Sequence, residues 1–132
     1  MLANMSDPGP RIAILDDEPG FRQALSRLLR AHDLQVEVFA SGGEFIAAAS
    51  EQPFACLLLD LHMPGVTGFD VLTELKARGL LVRVIVITGH DQPGSAATAR
   101  ELGATNYLLK PLDESALLDA LYQAVPALRH TG

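Results

Sequence analysis

The sequence predicts a doubly wound α/β domain, a five-stranded parallel sheet with helices on both faces. Three observations carry that prediction. Five short runs rich in Ile, Val and Leu recur along the chain, at Arg11 to Leu15, Gln35 to Phe39, Phe54 to Leu59, Val82 to Ile87 and Thr105 to Leu109. Three of these runs are nearly continuous in apolar character, as a parallel strand covered on both faces requires. Segments of helical period separate the runs, and strict alternation with right-handed crossovers lays helices on both sides of the sheet.

Each element has its own signal. Residues 1–10 carry neither a basic start nor an apolar stretch and read as a flexible lead. After the first strand, Phe21, Leu25, Leu28 and Leu29 repeat at i, i+4, i+7 and i+8, with Arg22 and Arg30 charging the opposite side of the helix. The second strand leads into Ser41-Gly42-Gly43-Glu44, whose spacing is that of a capping box. Val71, Leu72 and Leu75 mark a third helix, which Gly79 can close from a left-handed conformation. A fourth, alanine-rich helix is expected from Gly94 to Leu102, stopping at Gly103. Asp113 is the expected N-cap of a fifth, whose buried stripe is Ala116, Leu117, Ala120, Leu121 and Ala124, with Pro126 just past its end. The folded domain is thus expected over 11–126, with 127–132 as a tail.

Composition narrows the class. The 132 residues suit one domain, and 48% hydrophobic with 20% charged residues is the balance of a packed globular chain. The net charge is -6 and the ten Lys and Arg are scattered singly, which argues against direct nucleic-acid binding by this segment. No run approaches the ~20 apolar residues of a membrane helix, so the expectation is a cytoplasmic protein with no membrane contact. The single Cys56 lies inside an apolar run and reads as a core residue.

In doubly wound sheets, ligands sit beyond the carboxyl ends of the strands, near the point where strand order reverses. The residues at those ends are Asp16 and Asp17 after the first strand, Asp60 after the third, Thr88 after the fourth and Lys110 after the fifth. In the flavodoxin-like order 2-1-3-4-5, the first and third strands are neighbours, so three carboxylates crowd together beside a hydroxyl and an ammonium. Two like charges ~4 Å apart repel by roughly 4 kcal/mol at an effective dielectric of 20, a cost that a divalent cation removes. All the candidate ligands are oxygens, which selects a hard ion, and Mg²⁺ suits a site with one or two carboxylates. Phosphoryl transfer needs charge neutralisation on the phosphoryl oxygens, and a carboxylate on a strand end is a competent nucleophile. Asp60 is that nucleophile. Taken singly, Asp16-Asp17-Glu18 reads as an acidic helix start, Thr88 as a turn residue and Lys110 as a solvated charge; their sharing one rim changes the reading.

The chain resembles the response-regulator receiver family from Arg11 to Val125. The likeness rests on Asp16-Asp17-Glu18-Pro19, Leu59-Asp60-Leu61-His62-Met63-Pro64-Gly65, Ile87-Thr88-Gly89-His90 and Tyr107-Leu108-Leu109-Lys110-Pro111. It implies a phosphoacceptor in a two-component phosphorelay, a signalling domain rather than an enzyme, which catalyses its own phosphoryl transfer and autodephosphorylation. It implies that Asp17, Asp60 and the backbone carbonyl of His62 ligate Mg²⁺, with Asp16 holding it through water, and that Lys110 contacts the phosphoryl oxygens. Thr88 and Tyr107 would be the switch residues, reshaping the face of the fourth helix, fifth strand and fifth helix. Lys110-Pro111 resembles the family's cis peptide. His62 and His90 occupy positions that flank the path of the hydrolytic water and are expected to tune dephosphorylation.

The implied partners are a histidine kinase or histidine phosphotransfer protein, with a possible homodimer on phosphorylation. Val86-Ile87-Thr88-Gly89-His90 looks like the subgroup often joined to a C-terminal helix-turn-helix, so the sequence reads as one domain of a longer regulator in preference to a stand-alone receiver. Three rivals fit less well. A haloacid-dehalogenase-type phosphatase carries its nucleophile on the first strand and needs a cap domain. A flavodoxin-like FMN carrier needs hydroxyls and glycines where this chain has acids. A receiver-like module that is never phosphorylated would not need all five site residues.

Overall fold

The computed structural model describes residues 9–129. Most of the expected lead, through residue 8, and the expected tail from residue 130 lie outside the described residues. Strands β1 (Arg11–Leu15), β2 (Gln35–Phe39), β3 (Cys56–Leu59), β4 (Arg83–Thr88) and β5 (Asn106–Leu109) form one parallel sheet in the order β2-β1-β3-β4-β5. Helices α1 (Pro19–Ala31), α2 (Gly42–Glu51), α3 (Gly68–Ala77) and α4 (Ser95–Glu101) connect the strands, and α5 (Glu114–Ala124) follows the last of them.

Alternation along the strands divides the core in two. Ala13, Leu15, Leu57, Leu59, Val84 and Val86 face α2, α3 and α4, whose Phe45, Val71, Leu72 and Ala99 close over them. Ile12, Ile14, Leu58, Ile85 and Ile87 face the other way, against Leu25 and Leu29 of α1 and Leu117 and Leu121 of α5. Both faces of β3 are buried, which is why its sequence is apolar at every position. The register pairs Leu15 with Leu59 and Leu59 with Val86, so the residues just past β1, β3 and β4 emerge side by side.

Some boundaries differ from the sequence reading. Strand β3 starts at Cys56 instead of Phe54, because Phe54 turns to pack against Phe39 and Phe45, with ring centroids 5.8 and 5.6 Å away. Ser41 does accept a hydrogen bond from the Glu44 amide, but the box with both halves formed is Thr67 and Asp70 at the start of α3. There the shorter Asp70 takes the third position that Glu or Gln usually holds. The packed unit also runs past residue 126. Pro126–Arg129 form a 3-10 turn, and Leu128 packs against the apolar cluster under α1 and α5.

Candidate functional site

The C-terminal ends of β1 and β3 bring three carboxylates together. One oxygen each from Asp16, Asp17 and Asp60 lies within 4.8 Å of the others. Asp16 and Asp60 are 2% and 6% exposed, whereas Asp17 is open to solvent, so the cluster is buried on two sides and open on the third. Asp60 is anchored on the rigid sheet by its own amide, which donates to the Leu15 carbonyl at 3.0 Å. The His62 amide donates back to Asp60 Oδ1 at 3.2 Å. The loop leaving Asp60 is pinned by Gly68, whose amide donates to the Leu61 carbonyl. A Cβ on residue 68 would lie 2.6 Å from the Asp60 carbonyl oxygen and 2.7 Å from Leu61 Cα, so only glycine fits this approach.

Burial raises the Asp60 pKa above the ordinary carboxylate range, and the charge of Asp16 raises it further. The His62 amide and Lys110 oppose the rise, and Asp17 adds a smaller push upward. Asp16 is held differently. Its Oδ1 accepts from the Glu18 amide at 2.8 Å and its Oδ2 from Lys110 Nζ at 3.0 Å.

Lys110 reaches the cluster because its amide donates to the Thr88 carbonyl at 2.9 Å, continuing the β4–β5 ladder by one residue. The peptide between Lys110 and Pro111 is cis. The ammonium also stands 3.9 Å from the centroid of the Phe21 ring and 4.0 Å from Glu18 Oε1. Sequence reasoning assigned Phe21 only to the apolar stripe of α1. Its place in the first turn after Asp16-Asp17-Glu18, within reach of the same rim, was the available signal. Arg22, read as a charged helix face, donates to the Asp16 carbonyl at 2.7 Å and ties α1 to the loop.

The remaining candidates lie around this cluster. Thr88 is fully buried and its hydroxyl accepts from the His90 amide at 3.0 Å. Tyr107 donates its hydroxyl to Asp91 Oδ1 at 3.0 Å; burial, and then Asp91, raise its pKa. His62 and His90 meet edge to face with ring centroids 4.9 Å apart, and His62 Nε2 lies 2.9 Å from the His90 carbonyl oxygen. That pair links the loops following Asp60 and Thr88. Among the described residues no helix is long and apolar enough to cross a membrane.

Chains with this architecture are well represented among known proteins. The response regulator protein TodT of Pseudomonas putida is 38% identical over 124 residues, a stretch covering 94% of this chain and 55% of that protein. The transcriptional regulatory protein FixJ of Azorhizobium caulinodans is 36% identical over 110 residues, covering 83% of this chain and 52% of that protein. The chain therefore spans about half the length of the curated relatives it matches. Among solved structures, FixJ-N superposes with a TM-score of 0.82 at 28% identity, covering 93% of this chain and 97% of that one. The chemotaxis protein CheY4 of Vibrio cholerae gives 0.81 at 26% identity, covering 88% and 98%. The family model of the response regulator receiver domain matches residues 12–122, from β1 into α5 and across every residue of the carboxylate cluster, and the chain belongs to that family of two-component signalling domains.

Proposed function

We propose that this chain accepts a phosphoryl group on Asp60 from the phosphohistidine of a histidine kinase or histidine phosphotransfer protein. A carboxylate oxygen of Asp60 forms the new bond to phosphorus as the phosphorus–nitrogen bond of the donor breaks, and the leaving imidazole takes up a proton. The observation that carries the reading is the crowding of Asp60 against Asp16 and Asp17 with the Lys110 ammonium at the same rim. A carboxylate whose pKa is raised by burial and then by the charge of Asp16 calls for a cation, and an all-oxygen donor set fits Mg²⁺. Asp17, Asp60 and the His62 carbonyl would hold that ion, with Asp16 acting through water. When bound, Mg²⁺ neutralises charge on the transferring phosphoryl group. Lys110 leaves Asp16 to contact the phosphoryl oxygens.

The same residues supply the switch. Thr88 exchanges the His90 amide for a phosphoryl oxygen, and Tyr107 leaves Asp91 and moves inward, which reshapes the α4, β5 and α5 face. The phosphoryl group favours this arrangement only through the contacts it makes there. That face then controls an output domain or partner protein and offers a surface for a homodimer. His62 and His90 tune autodephosphorylation; decay of the phosphorylated protein with both changed to Ala is expected to differ from wild type, and equal rates would remove them from the mechanism.

The deciding experiment is intact-mass spectrometry after incubation with acetyl phosphate, with and without Mg²⁺. Wild type should gain about 80 Da, the mass of one phosphoryl group, only when Mg²⁺ is present, and Asp60→Ala should gain nothing. Equal labelling of the two proteins would assign the phosphoryl group elsewhere, and no labelling of wild type would overturn the reading.

A further inference from the structure

At the end of the sheet opposite the carboxylates, the segment joining α3 to β4 carries Leu81, which is 95% exposed. Its neighbours are ordered. Gly79 turns the chain at a φ of 66°, and the Leu80 amide donates to the Leu75 carbonyl at 3.0 Å. Leu80 and Val82 both pack against the core under α2 and α3, and the residue between two inward side chains is left facing solvent. Leu80 and Val82 are themselves only half-buried, so with Leu81 they make a contiguous apolar strip, and apolar surface that is contiguous marks a contact site.

Leu80, Leu81 and Val82 form a ridge between two hollows. One, of about 390 Å³, is walled by Glu51, Pro53 and Phe54. The other, of about 260 Å³, is walled by Leu72, Lys76 and Leu102. Glu51 and Lys76 are both exposed, and neither is in an ion pair with another described residue. The face therefore presents, in order, an acid, a hollow, an apolar ridge, a second hollow and a base. A twofold axis in the plane of contact exchanges the two sides of the ridge, so the acidic side of one copy meets the basic side of the other.

We propose that this face binds a second copy of the chain, with Leu81 of each copy seated in the Glu51-walled hollow of the other and Glu51 facing Lys76 across the contact. The leucines supply most of the affinity, because ion pairs at an exposed rim contribute little; the charges select the twofold arrangement. The contact belongs to the low end of specific interfaces and is a weak, concentration-dependent association. It lies at the far end of the sheet from Asp60 and borders the α4, β5 and α5 face only at Leu102, the C-cap of α4. It does not rest on the phosphoacceptor reading.

Sedimentation velocity on the unphosphorylated chain, from low micromolar to near-millimolar protein, tests it. The weight-average mass should climb from that of one chain toward that of two. Leu81→Asp should weaken association by at least about tenfold, the equivalent of one lost aliphatic contact, with an unchanged melting curve because the side chain is already in solvent. Glu51→Lys and Lys76→Glu should each weaken it a few-fold, and the two together should restore it. A monomer at every concentration would overturn the proposal, as would a dimer that Leu81→Asp leaves intact. Two weakening single reversals whose combination fails to recover would overturn the pairing of Glu51 with Lys76.

Discussion

Asp60 and Lys110 owe their chemistry to what stands beside them. The Asp60 pKa is raised, first by burial and then by Asp16, so the folded state favours its neutral form. The group's contribution to stability is fully present below the ordinary carboxylate pKa of about 4 and is lost as pH rises through the raised value. In metal-free buffer at pH 7, where wild type must hold that carboxylate charged, Asp60→Asn should therefore be the more stable protein. Urea titrations at several pH values should show the gap closing as pH falls toward 4 and shrinking when Mg²⁺ is added to wild type. A constant gap would place its origin elsewhere. For Lys110, the Phe21 ring 3.9 Å away is a further hold on the ammonium, and such contacts contribute about 0.5–2 kcal/mol. Phe21→Leu should slow labelling by acetyl phosphate several-fold while Phe21→Tyr, which keeps the ring face, labels at close to the wild-type rate.

At the level of the elements, the site depends on how the connections leave the strands. The loop from β3 to α3 passes close to its own backbone at Gly68, where an added Cβ would meet the Asp60 carbonyl at 2.6 Å and Leu61 Cα at 2.7 Å. Both are main-chain atoms and cannot rotate away. Gly68→Ala should cost about 1–3 kcal/mol, the range for overpacking a well-filled site. It should also reduce phosphoryl transfer, because the peptide that must move is that of Asp60, the proposed phosphoacceptor. Urea denaturation together with acetyl phosphate labelling checks both effects; full activity in a destabilised variant would separate the loop from the chemistry. The helix ends show how local signals fared. Asp113 caps α5 as expected, accepting from the Ala116 amide. At α2 only the Ser41 half of the expected box forms, because its other half requires an exposed Glu44 to curl back over the helix start.

For the molecule as a whole, β3 is the strand through which the sheet holds together, and Cys56 reports on it. Burial raises its thiol pKa from the ordinary 9.0 to about 12. The unfolded thiol ionises near 9 and the folded one does not, so this part of the stability is intact below about pH 9 and is lost as pH climbs toward 12. At pH 8, iodoacetamide should modify native Cys56 only as fast as the protein unfolds, with urea raising labelling and unfolding together. Rapid labelling of the native protein would mean that the sheet opens locally. The amino-acid sequence by itself determined the five strands, their parallel direction and the strand-end positions of Asp16, Asp17, Asp60, Thr88 and Lys110, while the strand order came from likeness to a flavodoxin-like fold. Periodicity and alternation are properties of neighbours along the chain, and β3 could be apolar at every position only if covered on both faces. The tertiary structure decided what depends on residues far apart in sequence. Lys110 meets Asp16 and Phe21 across some ninety positions, Tyr107 turns to Asp91, Phe54 leaves its strand for Phe39 and Phe45, and Leu81 is left outside between two residues that go in. Such contacts arise from the packing of several elements at once, and no local pattern encodes which of two equally apolar neighbours will find room inside.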